Sequence, residues 1–453
     1  MTQHETVDFS RRRVLQWSAG AVLSAGATLA WPARSQGEDV APVTKPRATS
    51  GDSVSEPNWA ERLTISVGPE NADLVGKSEK VIQAAVDYLA RLGGGTVKLL
   101  PGKYQFRNAV YLSSKIRIVG SGDDCVITKE PSVSAKLAQD SDWYDQEITL
   151  ADAKGFSIGD GVCLRTKNPH NGSRTVIKRT LVARDGNRFK LDRALRENLW
   201  LMGESTATTL FPLFSGENIA DVVLEKLTLE GNRTNNENLD GNYAGCIFLQ
   251  DCNRIAMRDV TAQNYNGDGI SWQICHDVIV ERCRSHDHAG LGLHPGSGSQ
   301  RPIMRNNRLE RNDIGIFFCW GVKYGLAENN AVRGNRVGIS IGHRDTDNLI
   351  QDNKVQASRD VGVLFRPERG KDFAPHRNRL VNNQLLDNGG DKSAAIDLQG
   401  EVEAITIQNN EIRESRPPMQ RTGIRIGERT RDIRLAENKI EGFAVAVEDR
   451  RGS

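Results

Sequence analysis

Apolar residues recur in the second half of the chain as a short unit, Gly-apolar-x-apolar. Successive units begin 23 or 24 residues apart between Gly245 and Gly362. The pattern then resumes after gaps of 33 and 28 residues, which predicts two coils with longer loops. Brief alternation of apolar and polar positions is typical of short β-strands. The repeats begin at Gly245, Gly269, Gly292, Gly315, Gly338, Gly362, Ala395, Gly423 and Ala446.

One asparagine per repeat forms a second column that follows the same spacing. A polar residue at the same turn of successive coils predicts a ladder of stacked side-chain amides. We therefore assign these asparagines a structural role. Each of them precedes an apolar residue by two positions: Asn307, Asn330, Asn353, Asn383, Asn410 and Asn438.

Coils of this length without helical stretches predict an all-β solenoid, a single-stranded parallel β-helix. A leucine-rich repeat has a different leucine pattern, and a propeller blade needs about 40 residues or more. Residues 80–92 place Val81, Ala85 and Leu89 on one helical face, which predicts an N-terminal capping helix. Residues 146–212 interrupt the coil pattern with strand and turn signals and predict a small antiparallel β insertion.

The segment GGGTVKLLPGKYQF, residues 93–106, is followed by a strand over 115–119 and by Gly120. This opening resembles that of pectate-lyase-like right-handed β-helix proteins, and the resemblance covers roughly residues 60–450. It implies a right-handed single-stranded parallel β-helix. It implies no single activity, because that fold carries lyases, hydrolases, epimerases and phage spikes.

The N-terminus has the features of an export signal. Residues 10–16, SRRRVLQ, match the twin-arginine pattern, and a weakly apolar stretch follows. We expect a periplasmic or secreted protein without stable membrane insertion; an uncut N-terminal anchor is the alternative. The expected organisation is a signal peptide over 1–35, a linker over 36–57, a cap with the first coils over 58–145, the insertion over 146–212 and β-helix repeats over 213–453.

The formal net charge of +2 comes from the N-terminal signal. Beyond residue 35, 56 basic side chains face 56 acidic ones. A neutral mature protein gives no electrostatic argument for nucleic acid or for an anionic membrane. The expected partner is a polysaccharide or oligosaccharide. The pattern specifies neither a cofactor nor an oligomeric state.

The seven cysteines contain no CxxC pair, which argues against a thiolate zinc site. Cys252 and Cys275 lie one coil apart and are expected to stack or to form a bridge; buried free thiols are the alternative. Four of the eight histidines lie between residues 276 and 294. They suit acid–base chemistry, a metal site, or a polar surface turn. The residues of the metal alternative are His286, Asp287, His288 and His294.

Alternate residues of each strand point outward and are expected to line a groove. Counting from each repeat glycine, we expect the second residue to face out, which gives Ile247, Ser271, His294, Phe317, Ser340 and Leu364. Aromatic faces stack on sugar rings, and arginine binds carboxylates. The predicted substrate-binding residues are Gln273, Phe317, Trp320, Arg366 and His288.

Asp268 occupies a position that is apolar or small in other repeats, so we expect it to be partly buried with a fixed partner or a perturbed pKa. The segment 266–269, NGDG, resembles part of the polygalacturonase pattern. However, Gly290 and Leu291 stand where that family has two aspartates, so hydrolysis by that route is doubtful. The alternative is that the Asp268 carboxylate has only a structural role at a turn.

The favoured function is cleavage of a uronate polymer by β-elimination. Lys323 is expected to be the base and Tyr324 the donor to the leaving oxygen, with carboxylate neutralisation by His343, Arg344 and Arg366. One alternative is a glycoside hydrolase that uses two of Asp268, Asp287 and Asp313. Another is a non-catalytic carbohydrate-binding or envelope protein. The predicted catalytic residues are His294, Lys323, Tyr324, Asp268, His343 and Arg344.

Overall fold

The computed structural model describes residues 56–417 and 420–452. This part of the chain forms a right-handed parallel β-helix, because each coil adds one strand to each of three long parallel sheets. The interior is filled by stacked apolar residues such as Ile270, Leu293, Ile316 and Ile339, which are fully buried. The predicted fold class is confirmed. The signal segment and nearly all of the linker lie outside the described residues.

The three parallel sheets are named here by their strands, given in spatial order. Sheet 1 contains Leu74–Val75, Thr64–Gly68, Gly95–Leu99, Ile116–Val119, Ala220–Glu225, Asn253–Arg258, His276–Glu281, Ile303–Arg305, Leu326–Glu328, Leu349–Gln351, Arg379–Val381, Glu403–Gln408 and Arg431–Ala436. Sheet 2 contains Gly102–Phe106, Cys125–Lys129, Thr228–Glu230, Thr261–Gln263, Arg284–His286, Arg308–Glu310, Ala331–Arg333, Lys354–Gln356, Gln384–Leu386, Glu411–Arg413 and Lys439–Glu441. Sheet 3 contains Val110–Tyr111, Phe214–Glu217, Gly245–Gln250, Asp268–Gln273, Leu291–Pro295, Ile314–Phe317, Val337–Ile341, Val361–Phe365, Ala394–Leu398, Thr422–Ile426 and Val445–Asp449.

The α-helix in the described residues, Glu79–Arg91, packs against the first coils. Its buried apolar side chains, Ile82, Ala85, Val86 and Leu89, continue the core of the solenoid. The helix therefore covers the apolar N-terminal end of the stack, as the periodicity predicted. Short 3₁₀ turns occur at Trp59–Glu61, Gly122–Asp124, Leu201–Gly203 and Arg233–Asn235.

A separate six-stranded antiparallel sheet interrupts the coils and has its own apolar cluster around Phe156, Phe189 and Leu164. It includes Ser134–Lys136, so the sheet begins before the segment 146–212. Lys178 of this sheet lies 3.8 Å from the centre of the Phe248 ring on sheet 3, which places the insertion over that face. Its strands are Ser134–Lys136, Glu147–Thr149, Gly161–Lys167, Arg174–Asp185, Arg188–Leu191 and Thr206–Thr208.

The asparagine ladder is confirmed. The side-chain oxygen of Asn330 accepts from the backbone N–H and the side-chain amide of Asn307, both at 3.0 Å. Asn353 accepts in the same way from Asn330, and the pattern continues through Asn438. A further rung, from the N–H of Asn312 to Asn335, lies at another turn and was not predicted. These bonds satisfy buried backbone groups where the chain turns.

The strand register changes one outward position. Gly245 pairs with Asp268 and not with the next repeat glycine, so Ile247 aligns with the interior residue Ile270. The expectation that Ile247 faces out was wrong, because a shift of one residue moves a side chain to the opposite face. Phe248 takes the outward position. The outer column of sheet 3 consists of Tyr111, Ser215, Phe248, Ser271, His294, Phe317, Ser340, Leu364, Asp397, Arg425 and Glu448.

All seven cysteines are free and buried. Cys252 and Cys275 stack, and the backbone N–H of Cys252 points to the sulfur of Cys275 at 3.4 Å. They therefore follow the stacking alternative, with no bridge. None of the helices in residues 56–417 and 420–452 has the length and apolar character that a membrane span requires.

Candidate active site

Asp268 and His294 form a buried pair on the outward face of sheet 3. The Oδ2 atom of Asp268 lies 2.8 Å from Nδ1 of His294, and each residue is 3% exposed. The other carboxylate oxygen accepts the backbone N–H of Leu291 at 2.9 Å. A carboxylate at Nδ1 favours the proton on that nitrogen, which leaves a basic lone pair on Nε2. This Nε2 atom has no hydrogen-bond partner among the described residues.

Two glycines make room for the Asp268 carboxylate. A Cβ atom on Gly241 would lie 1.6 Å from Oδ2, and one on Gly290 would lie 2.3 Å from Oδ1. Larger side chains at either position would displace the carboxylate. Gly290 and Leu291, which depart from the polygalacturonase pattern, thus have their own role: the first gives space, and the second donates a hydrogen bond.

Ser271 and Gln273 support this pair from the same strand. The Ser271 hydroxyl donates to the carbonyl of Gly241 at 2.6 Å and lies 3.3 Å from Nδ1 of His294. The Gln273 amide donates to Ser271 at 3.3 Å and accepts from the N–H of Ser297 at 2.9 Å. Gln273 is buried. Its predicted role in substrate binding is therefore replaced by a structural one, since both ends of its amide are bonded within the protein.

Phe317 and Arg366 lie next to the pair along the outer column. The Phe317 and His294 rings meet edge to face, with centroids 5.4 Å apart. The Arg366 guanidinium lies 4.2 Å from the centre of the Phe317 ring. Arg366 also donates to the Ser340 hydroxyl at 2.6 Å and to the carbonyl of Phe318 at 2.7 Å. Its cation thus lies beside the site, although much of its bonding capacity is used inside the protein.

An exposed aromatic surface lies beyond Phe317, and we call it the Trp320 platform. Trp320 is 41% exposed, and its ring lies 5.4 Å from that of His343 and 5.6 Å from that of Phe373. Arg344 lies 3.8 Å from the Phe373 ring, and Arg369 lies 5.9 Å from the Trp320 ring. In the described part of the chain neither arginine forms an ion pair, so both charges are available to an anionic ligand.

The platform changes the predicted role of His343 and includes two residues that were not predicted. Burial, followed by the charges of Arg366 and Arg369, lowers the pKa of His343 to about 4, so His343 is neutral near pH 7 and does not neutralise a carboxylate. Phe373 and Arg369 were not predicted. They belong to the long loop over 366–378, and the 33-residue gap in the repeat was the available signal for that loop.

Lys323 and Tyr324 lie on the turn that leads into sheet 1. The backbone of Lys323 bridges those of Gln300 and Thr346, and its charge acts on Asp347. Tyr324 is 40% exposed. Within the described residues, no hydrogen bond, ion pair or ring contact joins either side chain to His294 or to the Trp320 platform. The structure therefore does not bring the predicted base and donor to the Asp268–His294 pair.

The histidine cluster of the sequence is divided in space. His288 is buried; its Nδ1 accepts the N–H of Tyr265 at 3.1 Å, and its Nε2 lies 3.1 Å from the carbonyl of Ala262. Its predicted role in substrate binding is thus replaced by a structural one. Asp287 pairs with Arg311 at 2.7 Å and with His286 at 2.6 Å. The residues of the metal alternative therefore bind different partners and do not converge.

Comparison with known proteins supports the architecture. The family model described as "Periplasmic copper-binding protein (NosD)" matches residues 214–397. The structure is similar to the catalytic domain of a GH87 α-1,3-glucanase in complex with tetrasaccharides, with 12% identity, 86% of this chain and 60% of that chain covered, and a TM-score of 0.53. The chain is a right-handed parallel β-helix repeat protein.

Two further solved structures match this chain with lower TM-scores. The family 28 exopolygalacturonase of Yersinia enterocolitica has 13% identity, with 82% of this chain and 74% of that chain covered and a TM-score of 0.48. The A-module of the mannuronan C-5 epimerase AlgE6 of Azotobacter vinelandii has 16% identity, with 79% and 75% covered and a TM-score of 0.42. The sequence matches no curated protein.

The description of the matching family model names copper, and the donor side chains of this chain show whether a copper site fits. Copper sites combine several thiolate, thioether or imidazole donors around one point. Among the described residues, no group of three or more His, Cys, Asp or Glu side chains could hold a metal ion. The stacked thiols of Cys252 and Cys275 are buried in the apolar core. The described part of the chain therefore does not fit a copper centre of this kind.

Proposed function

We propose that this protein is an exported enzyme that cleaves a uronate-containing polysaccharide by β-elimination, with His294 as the base. The single observation that carries the proposal is the Asp268–His294 pair, in which a buried carboxylate fixes one ring nitrogen and leaves the other without a partner. The twin-arginine pattern and the periplasmic description of the matching family model support the proposed localisation.

The chemistry needs one base and one source of charge neutralisation. Nε2 of His294 would take the proton from the carbon next to the uronate carboxylate. The electron pair of that C–H bond becomes the new carbon–carbon double bond, the bond to the glycosidic oxygen breaks, and that oxygen takes up a proton from water. A nearby cation lowers the cost of the negative charge that develops on the carboxylate. Arg366, which lies over the Phe317 ring and also pairs with Asp345 at 3.5 Å, is the cation proposed for this role.

The Trp320 platform supports the choice of an acidic polymer. An exposed indole offers a flat face to a sugar ring, and Arg344 and Arg369 add two positive charges beside it. Since the Phe317 ring lies against His294 and the imidazole is nearly fully buried, the proposal includes a movement of Phe317 when the substrate enters.

The carboxylate contacts argue against the hydrolase alternative. A glycoside hydrolase needs two carboxyl groups that face one bond of the substrate. Asp268 is bound to His294, Asp287 to Arg311, and Asp313 to Arg336 at 2.6 Å. Each of the three carboxylates considered for hydrolysis therefore already has a partner within the protein.

The test is incubation of the mature protein with a panel of uronic-acid polymers while the absorbance of unsaturated ends is followed. We expect product from the wild type and a rate about 10³-fold lower from His294→Gln. His276→Gln is the matched control, because His276 begins a strand of sheet 1, on a different face of the solenoid. An equal rate in His294→Gln and the wild type would contradict the assignment.

The second candidate is a carbohydrate-binding protein without catalysis, and the burial of His294 favours it. In that case the polymers bind to the Trp320 platform and no unsaturated ends appear. Release of reducing ends without the absorbance change would instead indicate hydrolysis. The same panel of polymers therefore separates the three functions.

A further inference from the structure

A second polar cluster lies on the face of sheet 3 towards the C-terminal end of the solenoid. It surrounds a cavity of about 290 Å³. Asp397 and Arg425 contribute from the outer column, which also contains His294. No predicted site residue belongs to this cavity. It is lined by Asp397, Leu398, Gln399, Gly400, Arg425, Gly427, Glu428, Arg429 and Arg450.

Asp397 has an unmet hydrogen-bonding requirement. The residue is 4% exposed, and its Oδ2 atom accepts from Gln399 at 2.9 Å and from Arg425 at 3.5 Å. Its Oδ1 atom has no partner among the described residues. A buried carboxylate oxygen without a donor is costly, so this position favours a ligand that brings one.

The arginines around the cavity already have acidic partners. Arg425 pairs with Glu448 at 2.9 Å, and Arg429 pairs with Glu401 at 3.2 Å and also with Glu368. The unfilled position is therefore an acceptor and not a cation. It suits a sugar hydroxyl and not a carboxylate, in contrast to the Trp320 platform with its two uncompensated arginines.

The register places this cavity in line with the candidate active site. His294 and Asp397 are separated along the outer column by Phe317, Ser340 and Leu364. Four steps between neighbouring strands correspond to roughly 19 Å. The loop over 366–378 connects the two regions, because Phe373 contacts Trp320 and Glu368 accepts the N–H of Glu401 at 2.7 Å.

We propose that the Asp397 cavity is a distal saccharide-binding site, in which the carboxylate accepts a sugar hydroxyl about four strand spacings from His294. The inference rests on the proposed function, because it assumes a saccharide ligand on this face. It adds a place where a neutral part of the polymer, and not its carboxylates, is recognised.

The test is calorimetric binding of oligogalacturonides and oligomannuronides of graded length to the full protein. For oligomers that span both regions, we expect Asp397→Ala to weaken binding about tenfold or more, because a hydrogen bond to a charged group is lost. Asp397→Ala should turn over oligomers that are too short to span both regions at the same rate as the wild type. Asp391→Ala is the control, since the Asp391 side chain is 72% exposed.

The possible results separate the two proposals. The same dependence of affinity on length in Asp397→Ala and in the wild type overturns the distal site, whether or not turnover occurs. Binding that depends on Asp397 without unsaturated products overturns the elimination and keeps the distal site. If no saccharide of either series binds to the wild type, both proposals fail. Equal thermal unfolding of Asp397→Ala and the wild type shows that the variant used in the binding test remains folded.

Discussion

The carboxylate of Asp268 and the imidazole of His294 belong to neighbouring strands of sheet 3 and meet at 2.8 Å in a nearly solvent-free position. The carboxylate also accepts the N–H of Leu291, so both of its oxygens are bonded. This arrangement fixes one orientation of the imidazole, which a general base requires. It also makes the site sensitive to small changes around the carboxylate.

Asp268→Asn is expected to lower the elimination rate by about 10²–10⁴-fold, because an amide can stabilise the wrong tautomer of His294. The measurement is the initial rate of formation of unsaturated ends, with circular dichroism to compare folding. A folded Asp268→Asn variant with an unchanged rate would contradict the role given to Asp268. Asp259→Asn is the control, since Asp259 pairs with Arg282 at the turn between sheets 1 and 2.

Gly290→Ala is expected to reduce activity as strongly, although Gly290 carries no functional group. Its Cβ would lie 2.3 Å from Oδ1 of Asp268 and 3.0 Å from backbone atoms of Gly267. The carboxylate would have to turn away from Leu291 and His294. Kinetics and thermal unfolding are measured together; full activity at an unchanged unfolding temperature would show that the space around Asp268 is not needed.

Asn330→Ala is expected to destabilise the solenoid by about 2–4 kcal/mol. The substitution removes the acceptor for the N–H of Asn307 and the donor to the carbonyl of Met304, both of which are buried. Urea unfolding measures the loss, and the exposed Arg333→Ala in the same coil is the control. A loss below about 0.5 kcal/mol would show that the ladder contributes little.

Stability should fall as the pH falls from about 6.5 towards 3, partly through His288. Burial lowers the pKa of His288 to about 3, whereas an unfolded histidine has a pKa near 6.5. Between these values the unfolded chain binds the extra proton, so stability is present above this range and is lost below it, at about 1.4 kcal/mol per pH unit. Urea unfolding at several pH values measures the slope.

His288→Gln should flatten this slope, because glutamine does not titrate. His170→Gln is the control, since His170 is exposed in a loop of the insertion. If the two variants show the same dependence on pH, His288 does not contribute to the acid sensitivity.

Trp320→Ala is expected to raise KM about tenfold and to change kcat little, because in the proposed function the platform binds the sugar ring away from the reacting carbon. Tyr324→Ala is the control: Tyr324 is similarly exposed but lies on the turn towards sheet 1. A larger effect from Tyr324→Ala than from Trp320→Ala would contradict the Trp320 platform and place the functional site at the turn of Lys323 and Tyr324, as the sequence predicted.

The sequence by itself determined the solenoid, the capping helix and the asparagine ladder. Each depends on a local period: 23 or 24 residues for the coils, the helical spacing of Ala85 and Leu89, and one asparagine per turn. The sequence also marked Asp268, because a carboxylate replaces the small or apolar residues at that place in the repeat. Such patterns repeat at fixed intervals and therefore survive without knowledge of distant contacts.

The tertiary structure decided which chemical groups meet. The register moved Ile247 inward, the turn into sheet 1 carried Lys323 away from His294, and a loop without periodicity brought Phe373 to Trp320. The space that Gly241 and Gly290 leave around Asp268 likewise depends on three neighbouring coils. These contacts depend on strand register and loop path, which a one-residue shift changes while the repeat pattern stays the same.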